Sequence, residues 1–229
     1  MLRLASYDCF APDLFGGNIA YLVDGGTELN DDQMARIARE FGVPATCFVQ
    51  GIDDAGVRAR FFAPGAELPM CGHGTICLLT HLMESGAMQA GPDIRLRLPK
   101  SEARVAVEET PAGRFRVMLD IKPPRFEPAP TDSNELLGLL DLDADALANG
   151  LPVETARGDF IHLVVPLAGL EAMRAMRPDF SAMLAYCKAN GIETIAAFCR
   201  ETEDVAKDLH VRDFCPAVGV AESAAAGTT

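Results

Sequence analysis

The chain has 229 residues, of which 49% are hydrophobic and 23% charged, and its formal net charge is -13. This length supports one large hydrophobic core or two small ones. The acidic charge argues against a nucleic-acid-binding protein, because phosphate binding requires clustered Lys and Arg and the 20 basic residues are scattered. No apolar run approaches the roughly 20 residues that a membrane span requires. Arg3 and Asp8 also interrupt the segment where a signal peptide would be apolar, so we expect a cytoplasmic protein.

The seven cysteines form no Cys-x-x-Cys pair, which predicts free thiols rather than a disulfide framework or a paired-cysteine metal site. Cys47, Cys77 and Cys199 lie in apolar runs and are expected to be small buried residues. The sequence also has no glycine-rich phosphate loop and no His-Glu-x-x-His motif. It therefore predicts no nucleotide or metal.

The first half of the chain contains signals for two helices and a strand between them. Asn30 to Gln33 form an approximate capping box, and Gly42 is placed to end the helix that follows. Residues 57–62 alternate as a half-buried strand does, up to a break at residues 63–65. The second helix has apolar residues at the spacing of one buried face and Gly86 after its end. These apolar residues are Ile76, Leu79, Leu82 and Met83.

The candidate active site is the segment Met-Cys-Gly-His-Gly-Thr at residues 70–75, where an extended segment turns into the second helix. Unpaired amide groups and the helix macrodipole favour anions at a helix start, which predicts a lowered pKa for the Cys71 thiol. The same groups would hold a substrate carboxylate or enolate beside Gly72, Gly74 and Thr75. His73 either hydrogen-bonds the substrate or thiolate, or caps the helix.

The chain also contains an internal repeat. The first copy precedes Cys71-Gly72 and the second precedes Ala226-Gly227; the matched residues are Arg60, Phe62 and Pro64, then Arg212, Phe214 and Pro216. If each copy is a strand that leads into a helix start, two helix N-termini face one cleft between two similar domains. On this basis Gly227 and Thr228 are predicted to contact the substrate.

The domain boundary is predicted in the middle of the chain. Residues 121–134 include prolines at 123, 124, 128 and 130, which suggests a linker between an N-terminal domain at 1–120 and a second domain at 135–229. In the second domain we expect strands at 159–165 and 193–199 and helices at 167–176 and 179–190.

Six segments resemble the PhzF-like isomerases, which are relatives of diaminopimelate epimerase and proline racemase. They are residues 15–20, 37–40, 48–49, 60–64, 67–69 with Gly72-His73, and 214–222. The resemblance implies an α+β fold of two similar domains, each a mostly antiparallel sheet wrapped around a central helix, with a cofactor-free site between them. It also implies substrate contact at Asn18, for which a hairpin turn is the alternative.

The chain departs from this family at positions that carry catalytic residues in its members. Ala45 stands at the position of the family's glutamate base, and Ser223 replaces the aspartate that follows Glu222. Residue 71, usually small in PhzF-like proteins, is here the cysteine that racemases and hydroxyproline dehydratases of the same fold use as a base. Ala226 stands where a second cysteine would be. A one-base reaction therefore fits better than two-base racemisation, with Glu222 either a second acid or a structural residue.

Three functions remain open. The first is a cofactor-independent isomerase or dehydratase that moves a proton next to the carboxylate of a small amino or hydroxy acid. The second is an epimerase whose second base is His73, Glu222 or a bound water, and the third is an inactive small-molecule-binding homologue. The expected partners are a small carboxylic acid, a second copy in a homodimer, and a second polypeptide that completes the C-terminal domain. Cleavage near Thr228 or Thr229 is the hypothesis behind that last partner, because homologues of this fold continue past the glycine that matches Gly227.

Overall fold

The computed structural model describes residues 2–11, 15–121, 123–158, 160–224 and 227. The chain forms two compact units. The first contains the described residues up to Ile121 together with Gly227, and the second contains those from Pro123 to Ala224.

The first unit is a curved, mostly antiparallel sheet with two helices. Its elements are β1 (Arg3–Cys9), β2 (Asn18–Asp24), α1 (Asp31–Phe41), β3 (Ala45–Asp53), β4 (Gly56–Phe62), β5 (Glu67–Leu68), α2 (Gly72–Glu84), β6 (Gly91–Arg97), β7 (Glu102–Glu109) and β8 (Phe115–Leu119). The strand order is β1-β2-β3-β4-β6-β7-β8, with β5 paired to β4. Neighbours are parallel at β2–β3 and β4–β6 and antiparallel at the other described pairings.

Helix α1 covers one face of this sheet. Its predicted start is confirmed, because the Asn30 side chain accepts from the Gln33 amide and the Gln33 side chain accepts from the Asn30 amide. Its end at Gly42 is also confirmed, with φ of 64° in the left-handed region that glycine tolerates best. Met34 and Ala38 face the sheet in a cluster with Val23, Phe48 and Phe62.

Helix α2 forms the centre of the first unit. It contacts β1 and β8, at the two ends of the strand order, as well as β2 and β3, so the sheet curves around it. The predicted one-sided burial is wrong, because Cys77 and Leu78 are also fully buried and Ile76 is partly exposed. A helix buried on most of its circumference belongs to a core. With 13 residues it is the longest of the described helices, none of which is long and apolar enough to cross a membrane.

The second unit is a six-stranded sheet with helices on one face. Its elements are β9 (Arg125–Pro128), α3 (Ser133–Leu140), β10 (Glu154–Arg157), β11 (Ile161–Pro166), α4 (Leu170–Ala175), α5 (Phe180–Asn190), β12 (Thr194–Cys199), β13 (His210–Phe214) and β14 (Glu222–Ser223), with 3₁₀ turns at Ala144–Ala146 and Pro216–Val218. The strand order is β14-β13-β12-β11-β10-β9, parallel at β11–β12 and otherwise antiparallel. One core cluster joins the sheet to the three helices and includes Leu163, Met173 and Phe214.

The segment predicted as a linker, residues 121–134, contains regular structure. Within 121–134, β9 pairs with β10 at the edge of the sheet, a place where a strand tolerates proline. Asp132 then caps α3 by accepting from the Asn134 amide. These residues are therefore part of the folded second unit. The strand predicted from residue 159 begins at Ile161, and residue 159 itself lies outside the described residues.

The internal repeat is present in the fold. In each unit an arginine stacks over the phenylalanine two residues later and bonds a glutamate bidentately; the residues are Arg60, Phe62 and Glu67, then Arg212, Phe214 and Glu222. The guanidinium carbon lies 5.2 Å from the ring centroid in the first copy and 5.0 Å in the second. Each arginine strand is antiparallel to the preceding strand, which is itself parallel to the one before it. The spacing of the matched residues in the sequence therefore indicated a strand arrangement that both units share.

Candidate active site

Cys71 is the N-cap residue of α2, as its position in the sequence predicts. Its backbone is extended, and its Sγ atom accepts from the Gly74 amide at 3.4 Å. The Cys71 carbonyl accepts from both the amide and the hydroxyl of Thr75, each at 2.8 Å. The sulfur therefore takes the place that a Ser, Thr or Asp oxygen usually holds at a helix start.

The predicted lowering of the Cys71 pKa is wrong. The side chain is 3% exposed, and burial raises the pKa of the thiol to about 12. The Gly74 amide opposes this shift and the neighbouring Cys77 thiol adds to it. Loss of solvation therefore outweighs the helix start, and the thiol is neutral at neutral pH.

His73 lies against this thiol. Its Nδ1 atom is 3.4 Å from Cys71 Sγ, and either atom can be the donor. Burial lowers the pKa of His73 to about 4, so the imidazole is also neutral at neutral pH. Its Nε2 atom is buried and has no hydrogen-bond partner among the described residues. The site thus holds a neutral thiol, a neutral imidazole and an unused ring nitrogen.

The two glycines and Thr75 of the helix start have different surroundings. A Cβ atom at Gly74 would lie 2.9 Å from the Phe61 ring and 3.1 Å from Cys71 Sγ, so this position requires glycine. The Thr75 hydroxyl donates to the Cys71 carbonyl and serves the helix start. Gly72 has open space where a Cβ would be, so it is the position of the three with room for a ligand.

Asn18 is connected to this turn through a residue that sequence analysis missed. It begins β2 opposite Cys9 and is 1% exposed. The Cys9 thiol donates to the His73 carbonyl at 3.2 Å. A Cβ at Gly17 would lie 2.2 Å from the Cys9 carbonyl oxygen, so the glycine before Asn18 permits this close approach. Cys9 gave no sequence signal because its partner is 64 residues away.

Of the site residues predicted near the end of the chain, the structure describes Glu222 and Gly227. The Glu222 carboxylate accepts from Nε and Nη2 of Arg212 at 2.8 and 2.9 Å, which favours its structural alternative. Gly227 belongs to the first unit, where an added Cβ would lie 3.3 Å from the Phe10 ring. Thr228, predicted to contact substrate, lies outside the described residues.

The substituted positions contain no carboxylate. Ala45 begins β3 opposite Ala20, and both are fully buried. Ser223 lies in β14 opposite Asp213. Ala226 lies outside the described residues. Among the described residues no group of three or more His, Cys, Asp or Glu has an arrangement that could hold a metal ion.

A buried polar cluster in the second unit also escaped sequence analysis, which found no constellation around His162. His162 Nδ1 lies 2.6 Å from Thr194 Oγ1, and Cys215 Sγ donates to the Asp213 carbonyl at 3.4 Å. His162 and Asp213 are each 5% exposed. Burial lowers the pKa of His162, and Asp213 opposes that shift. Residues of this cluster come from three strands, so no local sequence pattern predicts it.

The repeat relates this cluster to the first unit. Thr194 lies opposite His162 in the parallel pair β11–β12, and Ala45 lies opposite Ala20 in the parallel pair β2–β3. The second unit therefore has hydrogen-bonding side chains where the first unit has two methyl groups.

Comparisons with known proteins agree with this architecture. The model of the PhzC-PhzF family, described as phenazine biosynthesis-like protein, matches residues 7–229. The chain is 29% identical to a Bacillus subtilis protein named uncharacterized isomerase YfhB, over 99% of this chain and 77% of that protein. It is 27% identical to the trans-2,3-dihydro-3-hydroxyanthranilate isomerase of Pseudomonas aeruginosa, over 100% of this chain and 77% of that protein.

Two solved structures extend the comparison. The PhzF-family protein of Bacillus anthracis superposes with a TM-score of 0.87 at 25% identity, over 98% of this chain and 77% of that one. A hydroxyproline epimerase from Agrobacterium vitis superposes with a TM-score of 0.60 at 13% identity, over 98% of this chain and 72% of that one, and shares the fold.

Proposed function

The chain belongs to the PhzC-PhzF family, whose relatives include named isomerases, and on that premise we propose that it is a cofactor-independent isomerase of a small amino or hydroxy acid. The proposed reaction moves a proton next to the substrate carboxylate. The observation that carries this proposal is the 3.4 Å contact between Cys71 Sγ and His73 Nδ1 at the start of the central helix.

The neutral state of both groups suggests a division of roles. When Nδ1 of His73 carries the imidazole proton and donates to Sγ, Nε2 is free to accept a proton and the thiol is free to give one. A buried thiol with a pKa of about 12 is a proton donor in the resting enzyme. This role replaces the thiolate base that the sequence predicted.

The proposed step conserves protons. Nε2 removes a proton from one substrate carbon, the electron pair shifts across the adjacent double bond, and the Cys71 thiol gives its proton to the far carbon. The imidazolium then returns its Nδ1 proton to the thiolate across the same contact, and loss of the Nε2 proton to water with uptake of a proton at Nδ1 restores the starting tautomer. Free space at Gly72 supports binding of the substrate carboxylate beside the helix start, where backbone dipoles favour an anion.

Burial of Cys71 has a second consequence. Cys71 is 3% exposed, so substrate reaches it only when the residues that cover it move. Without such movement the chain would be the inactive binding homologue, and the alanine at position 45 favours that second candidate. The epimerase alternative would use His73 as its second base, because His73 Nδ1 lies 3.4 Å from Cys71 Sγ whereas the Glu222 carboxylate is paired with Arg212.

The test is a substrate screen in D₂O followed by proton NMR. The panel contains trans-2,3-dihydro-3-hydroxyanthranilate, proline, the hydroxyprolines and aryl amino acids. For trans-2,3-dihydro-3-hydroxyanthranilate, the non-aromatic unsaturated acid of the panel, we expect a double-bond shift without loss of water, and at least about a hundredfold loss of rate in Cys71→Ala and His73→Gln. Cys77→Ala, a buried thiol on the same helix, is the matched control and should retain activity.

Other outcomes separate the alternatives. Deuterium incorporation with inversion at the α-carbon and no loss of water would favour an epimerase, and release of water would favour a dehydratase. Saturable binding without turnover of any compound, together with unchanged binding in Cys71→Ala, would favour the inactive homologue.

A further inference from the structure

The first unit contains a cleft separate from the Cys71 thiol. Its volume is about 640 Å³, and it lies where β1 and β8, the two edge strands of the sheet, meet helix α2. Cys71 is absent from its described lining. Residues 6–11 form one wall, the hairpin between β7 and β8 forms another, and Ile76, Thr80 and Glu84 present one face of α2. This volume is typical of small-molecule sites, which span about 300–1,000 Å³.

Two carboxylates line the cleft. Glu84 Oε2 accepts from the Tyr7 hydroxyl at 2.6 Å, and burial together with Glu84 raises the pKa of Tyr7, so the phenol remains a donor. Asp8 Oδ1 accepts from the Gly17 amide at 3.1 Å. Asp8 Oδ2 is buried and has no partner among the described residues. Asp8 therefore adds negative charge to its wall of the cleft, and Glu84 is the carboxylate of the two that is exposed.

A cation lies on the hairpin wall of the same cleft. Arg114 is exposed, and its guanidinium forms no ion pair with any described residue. The Arg114 amide donates to Thr110 Oγ1 at 3.1 Å, which fixes the hairpin that carries the side chain. The cleft therefore presents negative and positive groups that do not neutralise each other.

We propose that this cleft binds a zwitterionic ligand, either a free α-amino acid or a dipeptide. Its ammonium group bonds Glu84 and its carboxylate bonds Arg114, because these opposite charges lie on different walls of the cleft. This site goes beyond the proposed isomerase and does not depend on it. Cys9 also lines the cleft and donates to the His73 carbonyl, so an occupant contacts the residue that holds the first turn of α2.

The experiment is an amide NMR titration of the full chain with the twenty free L-amino acids and glycylglycine. We expect saturable shifts at Thr80, Glu84 and Gly113 for at least one compound. Glu84→Gln and Arg114→Gln should each weaken its Kd about tenfold or more, as loss of a charge-assisted hydrogen bond does. Arg116→Gln removes a nearby charge that pairs with Glu108 at 3.8 Å, and should leave the Kd unchanged.

Two further measurements keep this site distinct from the isomerase site. Cys71→Ala should bind the same compound with the same Kd, even if it abolishes turnover. The N-acetyl amide of the best amino acid, which lacks both charges, should not bind. Absence of any saturable shift, shifts confined to residues 71–75, or a Kd unaffected by both charge variants would overturn the proposal.

Discussion

Cys71 Sγ lies 3.4 Å from Nδ1 of His73, and burial favours the neutral form of each group. A thiolate–imidazolium pair, the form that activates many nucleophilic cysteines, is therefore not the resting state. In the proposed function, the pair instead supplies an uncharged acid and an uncharged base.

The first prediction concerns the reactivity of Cys71. With a pKa of about 12, only about one thiol in 10⁵ is ionised at pH 7. Iodoacetamide should therefore modify Cys71 far more slowly than free cysteine, with a rate that rises about tenfold per pH unit up to pH 10. Peptide mass spectrometry measures this rate, and a plateau below pH 8 would show that the thiol is ionised.

The second prediction concerns stability in acid. His73 has a folded pKa of about 4 against 6.5 for the ordinary group, so the unfolded chain binds more protons between these values. The free energy of unfolding should therefore fall as pH drops from 6.5 to 4, by up to about 3 kcal/mol from this residue. Urea unfolding at pH 7, 5.5 and 4.5 measures the slope.

The variant His73→Asn should show a smaller slope in this window. His162→Asn should also show a smaller slope, because burial lowers the pKa of His162 in the same direction. A slope in His73→Asn equal to that of the unmodified chain would contradict the assignment.

The third prediction uses two glycines of one helix turn. Gly74→Ala places a Cβ 2.9 Å from the Phe61 ring and should destabilise the protein by about 1–3 kcal/mol. Gly72→Ala meets open space and should be neutral or stabilising by up to about 1 kcal/mol. Thermal unfolding compares the two, and equal losses would show that the ring does not crowd Gly74.

The fourth prediction concerns Glu222. Its bidentate pair with Arg212 should contribute about 1 kcal/mol of coupling in a double-mutant cycle of Glu222→Gln and Arg212→Gln. The repeat supplies a matched cycle in Glu67→Gln and Arg60→Gln. If Glu222 is structural, activity of Glu222→Gln should follow its stability. A loss of turnover in a fully folded Glu222→Gln would restore the second-acid alternative.

Local signals in the sequence predicted much of the framework. The capping box at Asn30, the glycine stop at Gly42 and the placement of Cys71 at a helix start each depend on residues within four positions, and the structure has all three. The spacing of Arg212 and Phe214 likewise predicted a second copy of β4. Such features follow from backbone geometry and short-range hydrogen bonds, which depend on residues close together in the sequence.

Tertiary structure alone decided the chemistry of these residues. The protonation state of Cys71 depends on desolvation at the centre of a sheet whose strands β1, β2, β3 and β8 come from distant parts of the chain. His162 bonds Thr194 because their strands pair in parallel. The cleft is formed by residues of the edge strands β1 and β8 and of α2. Burial and long-range pairing are properties of the assembled chain, so no local spacing reports them.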